Sequence, residues 1–292
     1  MSGVAWAVTA GVGFGLFQAV NRRANTGIDP YLATFSLLAV GTSVLFFVTL
    51  ASADLSVIMK APLVSYAYFA GAGIIHFFFG WTFLVLSQRR IGAARTGAAV
   101  AATPLVGSVL AAVVLQEPLG LAIAAGIVLV VSGLVVLSLW TSHADTTLFR
   151  SIPWFGLAAA VSWGTSPLII RWGLEGLPAP LIGVTTGIAA AMISYAAVLT
   201  VTRRWSASLL PRSNLLWIGV AGVLAAAAIA AQWMSYSLIA VAVAITLMQL
   251  SVPVVILTAP VIVGMHMERI TVSVASGALL IVAGSIIVVL VG

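Results

Sequence analysis

Few side chains in this sequence can carry a charge or transfer a proton, so the positions of these few limit the kinds of functional site that the chain can form. Only six of the 292 residues are acidic. Four of these lie in short polar connectors between apolar stretches: Asp29, Asp54, Asp145 and Glu175. His76, in "GIIHFFFGWTFLV" (73–85), is the one titratable side chain in the middle of an apolar stretch. An imidazole titrates near neutral pH, so His76 is a possible proton site. A neutral histidine bonded to a neighbouring helix is the alternative interpretation.

The remaining two carboxylates occupy matching positions in "VLQEPLGLAIAAG" (114–126) and "GMHMERITVSVASG" (264–277). Glu117 and Glu268 each stand at a short turn between two apolar blocks, with glycines following at the same two intervals. A carboxylate at such a turn can accept hydrogen bonds from the free N–H groups that begin a helix, and it complements the helix dipole. We therefore interpret Glu117 and Glu268 as helix caps rather than as substrate ligands.

Uncharged polar and aromatic side chains supply the other candidates for binding. An amide in an apolar helix needs a partner or water, so Gln18, Gln232 and Gln249 are expected to face the interior of a helix bundle. The aromatic residues Phe14, Phe17, Trp81, Trp163 and Trp233 also lie well inside apolar stretches. Rings and amides together suit small amphiphilic or cationic solutes. Interhelical hydrogen bonding for the amides and ordinary packing for the rings remain open alternatives.

The elements that position these side chains are membrane-spanning helices. Hydrophobic residues make up 62% of the chain and charged residues 6%, whereas soluble proteins have about 25% charged residues. A spanning helix needs about 20 apolar residues. Ten uniformly apolar blocks of this kind are present, which excludes the alternating pattern of a β-barrel. The predicted spans are 4–20, 31–53, 63–87, 96–116, 119–140, 152–170, 179–202, 214–237, 241–265 and 270–291.

The net charge of +6 predicts topology rather than a nucleic-acid partner. Lysine and arginine are retained in cytoplasmic connectors. With ten spans, ten of the twelve basic residues fall on one side and only Lys60 and Arg171 on the other. Both termini are therefore predicted to be extracytoplasmic, in a plasma membrane (for a bacterium, the inner membrane).

The sequence also contains an internal repeat. The segment "VGFGLFQAVNRRANTGIDPYL" (12–32) aligns with "VSWGTSPLIIRWGLEGLPAPL" (161–181), so that Gly15 pairs with Gly164 and Arg22 with Arg171. We predict two five-helix units, 1–145 and 150–292. Because five is odd, the second unit enters the membrane in the opposite sense, as in many secondary transporters. Connector charges agree: 88–95 carries three arginines and its counterpart 238–243 none.

These features resemble the drug/metabolite transporter superfamily, in particular its EamA type. The resemblance rests on Pro104, thirteen residues before the "EP" at Glu117, on the paired glycines, and on the duplication. It implies a ten-helix carrier with a central cavity lined mainly by helices 1, 3, 4, 6, 8 and 9. The expected cavity residues are Phe14, Gln18, His76, Trp81, Trp163, Gln232, Trp233 and Gln249. In the second unit, Pro253 and Glu268 are fifteen residues apart, which departs from the first unit.

The expected function is secondary transport of small organic metabolites, amino acids or related amphiphilic solutes, across the plasma membrane by alternating access. Pro104 and Pro253 kink their helices and are predicted hinges. A multidrug exporter, or a flippase for a lipid-linked metabolite, is the alternative. No enzyme motif or embedded carboxylate pair is present, and no cofactor or metal is expected. The expected partners are a small-molecule substrate and the lipid bilayer, with the chain acting as a monomer or homodimer.

Overall fold

The computed structural model describes residues 1–52, 55–140, 154–205, 211–263 and 272–291, and this part of the chain is helical without strands. It confirms the predicted all-α membrane fold with ten long helices. Nine of them are long and apolar enough to cross a membrane, and the tenth, α6, carries Arg171 and Glu175 near its end. The helices are α1 (Gly3–Ala24), α2 (Pro30–Ser52), α3 (Leu63–Gly92), α4 (Thr96–Val114), α5 (Leu121–Trp140), α6 (Trp154–Gly176), α7 (Pro180–Val201), α8 (Arg212–Tyr236), α9 (Val241–Ile262) and α10 (Val272–Val291).

Short polar residues mark where several helices begin and end. The Ser2 hydroxyl accepts a hydrogen bond from the Ala5 N–H, 3.2 Å away, at the start of α1. Asp29 does the same for α2, because its Oδ1 accepts from the N–H of Tyr31 at 2.9 Å. Gly92, with φ at 81°, interrupts an otherwise continuous helical path and separates α3 from α4. These three boundaries thus fall at residues that cap a helix or that readily adopt a non-helical conformation.

Each helix packs chiefly against helices of the other half of the chain. Helix α1 lies against α8 and α9, and its repeat counterpart α6 lies against α3 and α4. Helix α2 contacts α8, just as α7 contacts α3. We call α1, α2, α8 and α9 bundle A, and α3, α4, α6 and α7 bundle B. Exchanging the two halves converts one bundle into the other, as expected for two inverted five-helix repeats. The boundaries predicted at 145 and 150 fall outside the described residues.

The matched glycines are the contact surface between α5 and α10, which pair with each other. A Cβ on Gly126 would lie 2.9 Å from the carbonyl oxygen of Gly284, and a Cβ on Gly277 would lie 2.9 Å from that of Gly133. Real side chains cannot approach backbone so closely, so these four positions need glycine for the two helices to touch. The duplicated glycines therefore encode one symmetric helix pair.

The two ends of the bundle differ in charge. At the end that we call the Arg-rich end, Arg23 donates from Nη1 to the carbonyl oxygen of Ile262 at 3.0 Å, and Asn214 donates to that of Ala24 at 3.0 Å. Its described basic residues are Arg22, Arg23, Arg89, Arg90, Arg95, Arg203, Arg204 and Arg212. The opposite end carries Lys60 and Arg171. The fold thus gathers the basic connectors on one side, while the orientation of that side in the membrane stays a prediction.

The glycine contact predicts a stability effect. Gly133→Leu should lower the free energy of unfolding by about 1–3 kcal/mol, because the new side chain would overpack the α5–α10 contact. Thermal denaturation in detergent would measure the change. Gly71→Leu is the matched control, since a Cβ on Gly71 meets no atom within 4 Å. Equal losses for the two variants would contradict this role of the glycine pairs.

Candidate substrate site

Five rings form a continuous series of contacts that links α1, α3 and α6. The ring of Phe17 stacks on Trp81 with centroids 6.2 Å apart, and Trp81 meets Phe77 edge-on at 5.5 Å. Phe77 contacts His76 at 4.6 Å, and His76 lies 6.3 Å from Trp163. These separations are typical of favourable ring pairs. We call Phe17, Trp81, Phe77, His76 and Trp163 the aromatic chain.

The centre of the aromatic chain lies in an irregular turn of α3. Residues Ile74–Phe79 form a π-helix, a wider turn that occurs frequently at functional sites. Side chains from the second half bind its carbonyl groups. The indole N–H of Trp163 donates to the carbonyl oxygen of His76 at 3.0 Å, and the Tyr195 hydroxyl lies 3.4 Å from those of Phe77 and Phe78. Helices α6 and α7 therefore hold the irregular turn in place.

The His76 imidazole is buried and bonded to α6. Its Nδ1 lies 2.7 Å from the hydroxyl oxygen of Ser166. Pro167 follows within the helix and has no N–H for the carbonyl of Trp163. The Ser166 hydroxyl lies 3.5 Å from that carbonyl oxygen. The Trp163 carbonyl therefore lacks its backbone hydrogen bond directly beside His76, which is the only titratable side chain of the aromatic chain.

Two of the predicted amides lack protein partners. Gln18 is exposed and follows Phe14, which is half-buried, by one helical turn on α1. Gln249 is half-buried and stands where α9 is interrupted between its segments Val241–Met248 and Ser251–Val263. Neither side chain has a hydrogen-bond partner among the residues that the structure describes. Both amides are therefore free to bind a solute or water.

The predicted hinge prolines lie just after breaks in matching helices. Helix α4 is interrupted at Ala101 and Ala102, and Pro104 begins the segment that follows. Because Pro104 cannot donate to the carbonyl of Val100, the Thr103 hydroxyl does so at 2.8 Å. Pro253 follows the break of α9 in the same way. The breaks are observed, whereas hinge motion about them stays a prediction.

Gln232 and Trp233 contact other protein groups rather than the aromatic chain. The Gln232 amide donates to the Tyr236 hydroxyl at 3.1 Å, one turn along α8. Trp233 is 1% exposed, and its ring lies 5.7 Å from that of Phe69 and against the glycines of α7. These two predicted cavity residues therefore pack helices together in this conformation.

Glu117 caps a helix, although not the neighbouring one. Gln116 adopts a left-handed conformation with φ at 55° and turns the chain after α4. The Glu117 carboxylate then accepts hydrogen bonds from Val241 N–H at 2.8 and 3.0 Å. The sequence interpretation placed this cap on the turn into α5, but the carboxylate lies at the start of α9 because the fold brings that N-terminus against the turn. Glu268 lies outside the described residues.

Sequence reasoning missed Ser166, Tyr195 and Arg171 as contributors to these sites. A serine immediately before a mid-helix proline was a usable signal for Ser166, because the proline leaves a carbonyl in need of a donor. A phenol in the apolar run of α7 also needs a partner. Arg171 had been counted only as a charge. Within the described ranges, no group of three or more His, Cys, Asp or Glu side chains could hold a metal ion.

Comparison with known proteins identifies the first half of the chain. Residues 1–139 match the EamA-like transporter family. That family is part of the drug/metabolite transporter superfamily, so the first half of the chain is assigned to it. The match spans α1–α5, which include His76, Pro104 and Glu117. The resemblance inferred from the sequence is thereby confirmed.

The whole chain also has a structural counterpart. A solved protein described only as "Crystal structure of protein" has a TM-score of 0.79 at 19% identity, and the match covers 99% of this chain and 97% of that one. At this identity the likeness shows the fold alone. It extends over both halves, so the second half shares the known architecture as well. None of the curated proteins matches the sequence.

The hydrogen bond between Trp163 and His76 predicts a second effect. Trp163→Phe keeps a ring but removes the N–H that binds the His76 carbonyl, and should cost about 1 kcal/mol of stability. Chemical denaturation in mixed micelles would measure it. Trp172→Phe is the control, because Trp172 is 37% exposed on the same helix. If Trp163→Phe loses no more stability than Trp172→Phe, Trp163 does not hold the π-helical turn of α3 in place.

Proposed function

We propose that this EamA protein is a secondary carrier that moves small organic metabolites, amino acids or related amphiphilic solutes, across the plasma membrane by alternating access. The observation that carries the proposal is the aromatic chain, together with two amides that have no protein partner among the described residues. These are Gln18, which follows Phe17 on α1, and Gln249, at the break of α9. These groups lie inside the spans, on helices of both bundles. Inverted-repeat transporters bind their substrates near the midplane, between the repeats.

The chemistry of the site supports a solute with an apolar body and a few polar groups. Ring faces bind apolar surface and attract cationic groups, while the amides can hydrogen-bond to carboxyl, amino or hydroxyl groups. Apart from His76, the aromatic chain and the two amides contain no titratable group. A site that binds through rings and uncharged amides favours zwitterionic and weakly cationic metabolites over strongly anionic ones.

The contacts at the two ends support alternating access. At the Arg-rich end, Arg23 binds within bundle A, and the guanidinium of Arg90 covers the ring of Phe155 within bundle B. The ion pair that the described residues form between the bundles there, Arg204 with Asp29 at 3.8 Å, is exposed to solvent on its arginine side. At the opposite end, polar contacts join bundle A to bundle B. Gln18, on the Arg-rich half of α1, is exposed. We infer a path to the site from the Arg-rich end, which the distribution of lysine and arginine assigns to the cytoplasm.

Counterflow in proteoliposomes tests the proposal directly. Vesicles loaded with mixed unlabelled amino acids, nucleosides and amines would be diluted into single labelled solutes. Saturable, protein-dependent uptake of a labelled amino acid or amphiphile is expected, and cross-competition would define the class. Absence of counterflow for every solute, with protein that remains monodisperse, would contradict the carrier proposal.

The amides predict a change in apparent affinity. Gln18→Leu should raise KM for counterflow roughly fivefold, because it removes one hydrogen bond worth about 1 kcal/mol. Gln88→Leu, at an exposed position near the end of α3, is the matched control and should leave KM unchanged. Similar KM values for the two variants would remove Gln18 from the site.

His76 predicts the behaviour of any proton coupling. If its imidazole carries the proton, His76→Gln should abolish accumulation driven by a pH gradient, while counterflow without a gradient continues. Gln keeps a hydrogen-bonding group opposite Ser166 but cannot bind a proton in this range. Gradient-driven uptake that survives in His76→Gln would exclude His76 as the proton site.

A further inference from the structure

Two charged side chains bring four helix ends together at the end opposite the Arg-rich one. Glu117 follows the last turn of α4, and Arg171 lies in the last turns of α6. The ends that they contact are the C-terminus of α8 at Tyr236 and the N-terminus of α9 at Val241. A second described ion pair crosses the bundles at the Arg-rich end, where Arg204 Nη1 lies 3.8 Å from Oδ2 of Asp29. At the opposite end, Glu117 and Arg171 also hydrogen-bond to backbone groups at the ends of the other bundle's helices.

The Glu117 carboxylate is held by the start of α9. Both of its oxygens accept from the Val241 N–H, at 2.8 and 3.0 Å, and Oε2 lies 3.4 Å from the nitrogen of Ala242. These N–H groups have no partner within their own helix. A negative charge is favourable there because of the helix dipole. The side chain is only 9% exposed, so the contact is shielded from water.

Arg171 completes the arrangement from the other side. Its Nη1 donates to the carbonyl oxygen of Tyr236 at 2.8 Å, at the end of α8 where a positive charge is favourable. Its Nη2 lies 3.9 Å from Oε1 of Glu117. Hydrogen bonds that involve an ionised group are about twice as strong as neutral ones. The two side chains thus supply charge-assisted contacts to both helices that flank the 237–240 connector.

Each of these contacts crosses between the bundles. Glu117 lies in the turn directly after α4, and Arg171 lies in α6, so both side chains extend from bundle B. Their backbone partners belong to α8 and α9 of bundle A. Immediately behind them, every residue of Val241–Met248 is buried. The bundles cannot separate at this end unless both sets of charge-assisted hydrogen bonds break.

We propose that Glu117 and Arg171 form a latch that keeps this end of the carrier closed, and that opening of this end requires its release. The inference rests on the proposed alternating access but does not depend on the identity of the substrate. It assigns gating roles to two residues that lie outside the substrate site. It also gives Glu117 a role beyond ending its own helix.

Thiol labelling can test the latch, because the chain has no cysteine of its own. Ser108→Cys is a suitable reporter: Ser108 is 3% exposed, and its hydroxyl has no hydrogen-bond partner. Its neighbour Gly107 lies against Ile245 of α9, just inside the latch. A membrane-impermeant maleimide would be applied to intact cells and to inverted vesicles. Lys60→Cys, in a separate sample, identifies which side carries the latch.

In the Ser108→Cys background, Glu117→Gln and Arg171→Ala should each raise the labelling rate from the latch side roughly tenfold. This factor corresponds to about 1.4 kcal/mol, within the range for hydrogen bonds to charged groups. Glu175→Gln removes an exposed carboxylate one turn beyond Arg171 and should have no effect. Arg22→Ala removes the repeat counterpart of Arg171 at the Arg-rich end and should not raise labelling from the latch side.

The outcomes separate this inference from the carrier proposal. Unchanged labelling in both latch variants, in protein that shows normal counterflow, would overturn the latch. Increased labelling without counterflow of any solute in the parent protein would support the latch and count against the carrier. If Arg171→Ala fails to give monodisperse protein, the near-isosteric Glu117→Gln decides the result alone.

Discussion

The structure depends on one constraint: inside a bilayer, every backbone N–H and C=O must find a partner within the protein. Regular helices meet this condition by themselves. At three irregular places in the described part of the chain, a side chain satisfies the exposed backbone group. Trp163 binds the π-helical turn of α3, Thr103 binds the carbonyl that Pro104 leaves free, and Glu117 binds the start of α9. The polar side chains that fold the protein are therefore concentrated where helices depart from regularity.

The same constraint explains why the two halves of the chain interlock. A helix that carries irregular turns needs a partner helix that can reach them with donors or acceptors. Packing across the repeat supplies that partner, as α6 does for α3 and the α4–α5 turn does for α9. The mobile units of the proposed transport cycle are consequently bundles A and B, each drawn from both halves, rather than the two halves themselves. Contacts that cross between the bundles then decide which end is open.

The sequence predicted those parts of the fold that depend on composition and on duplication. Ten apolar runs and the basic connectors predict the helices and the charged end without knowledge of side-chain neighbours. The paired glycines indicate the duplication, but the contact that they form between α5 and α10 is known only from the structure. The site was predicted only in part. His76, Trp81 and Trp163 do meet, but Gln232 and Trp233 pack elsewhere, because the rotation of a uniformly apolar helix such as α8 cannot be read from its pattern. The partner of Glu117 was also beyond reach, since it lies 124 residues away along the chain.

The features that suit the protein to a particular solute lie where the repeats differ. The pair Phe14 and Trp163 shows this most clearly, since only the indole can donate to the carbonyl of His76. Helix α3 has a π-helical turn with a histidine, whereas its counterpart α8 runs regularly from Arg212 to Tyr236 through a series of alanines. At the candidate site, α3 therefore carries aromatic and hydrogen-bonding groups, whereas the equivalent stretch of α8 carries small apolar side chains. In the proposed carrier, duplication provides two bundles that exchange roles, and divergence within α3 and α6 provides the binding chemistry. Selectivity should accordingly respond to substitutions in those two helices more than to substitutions at the equivalent positions of α8 and α1.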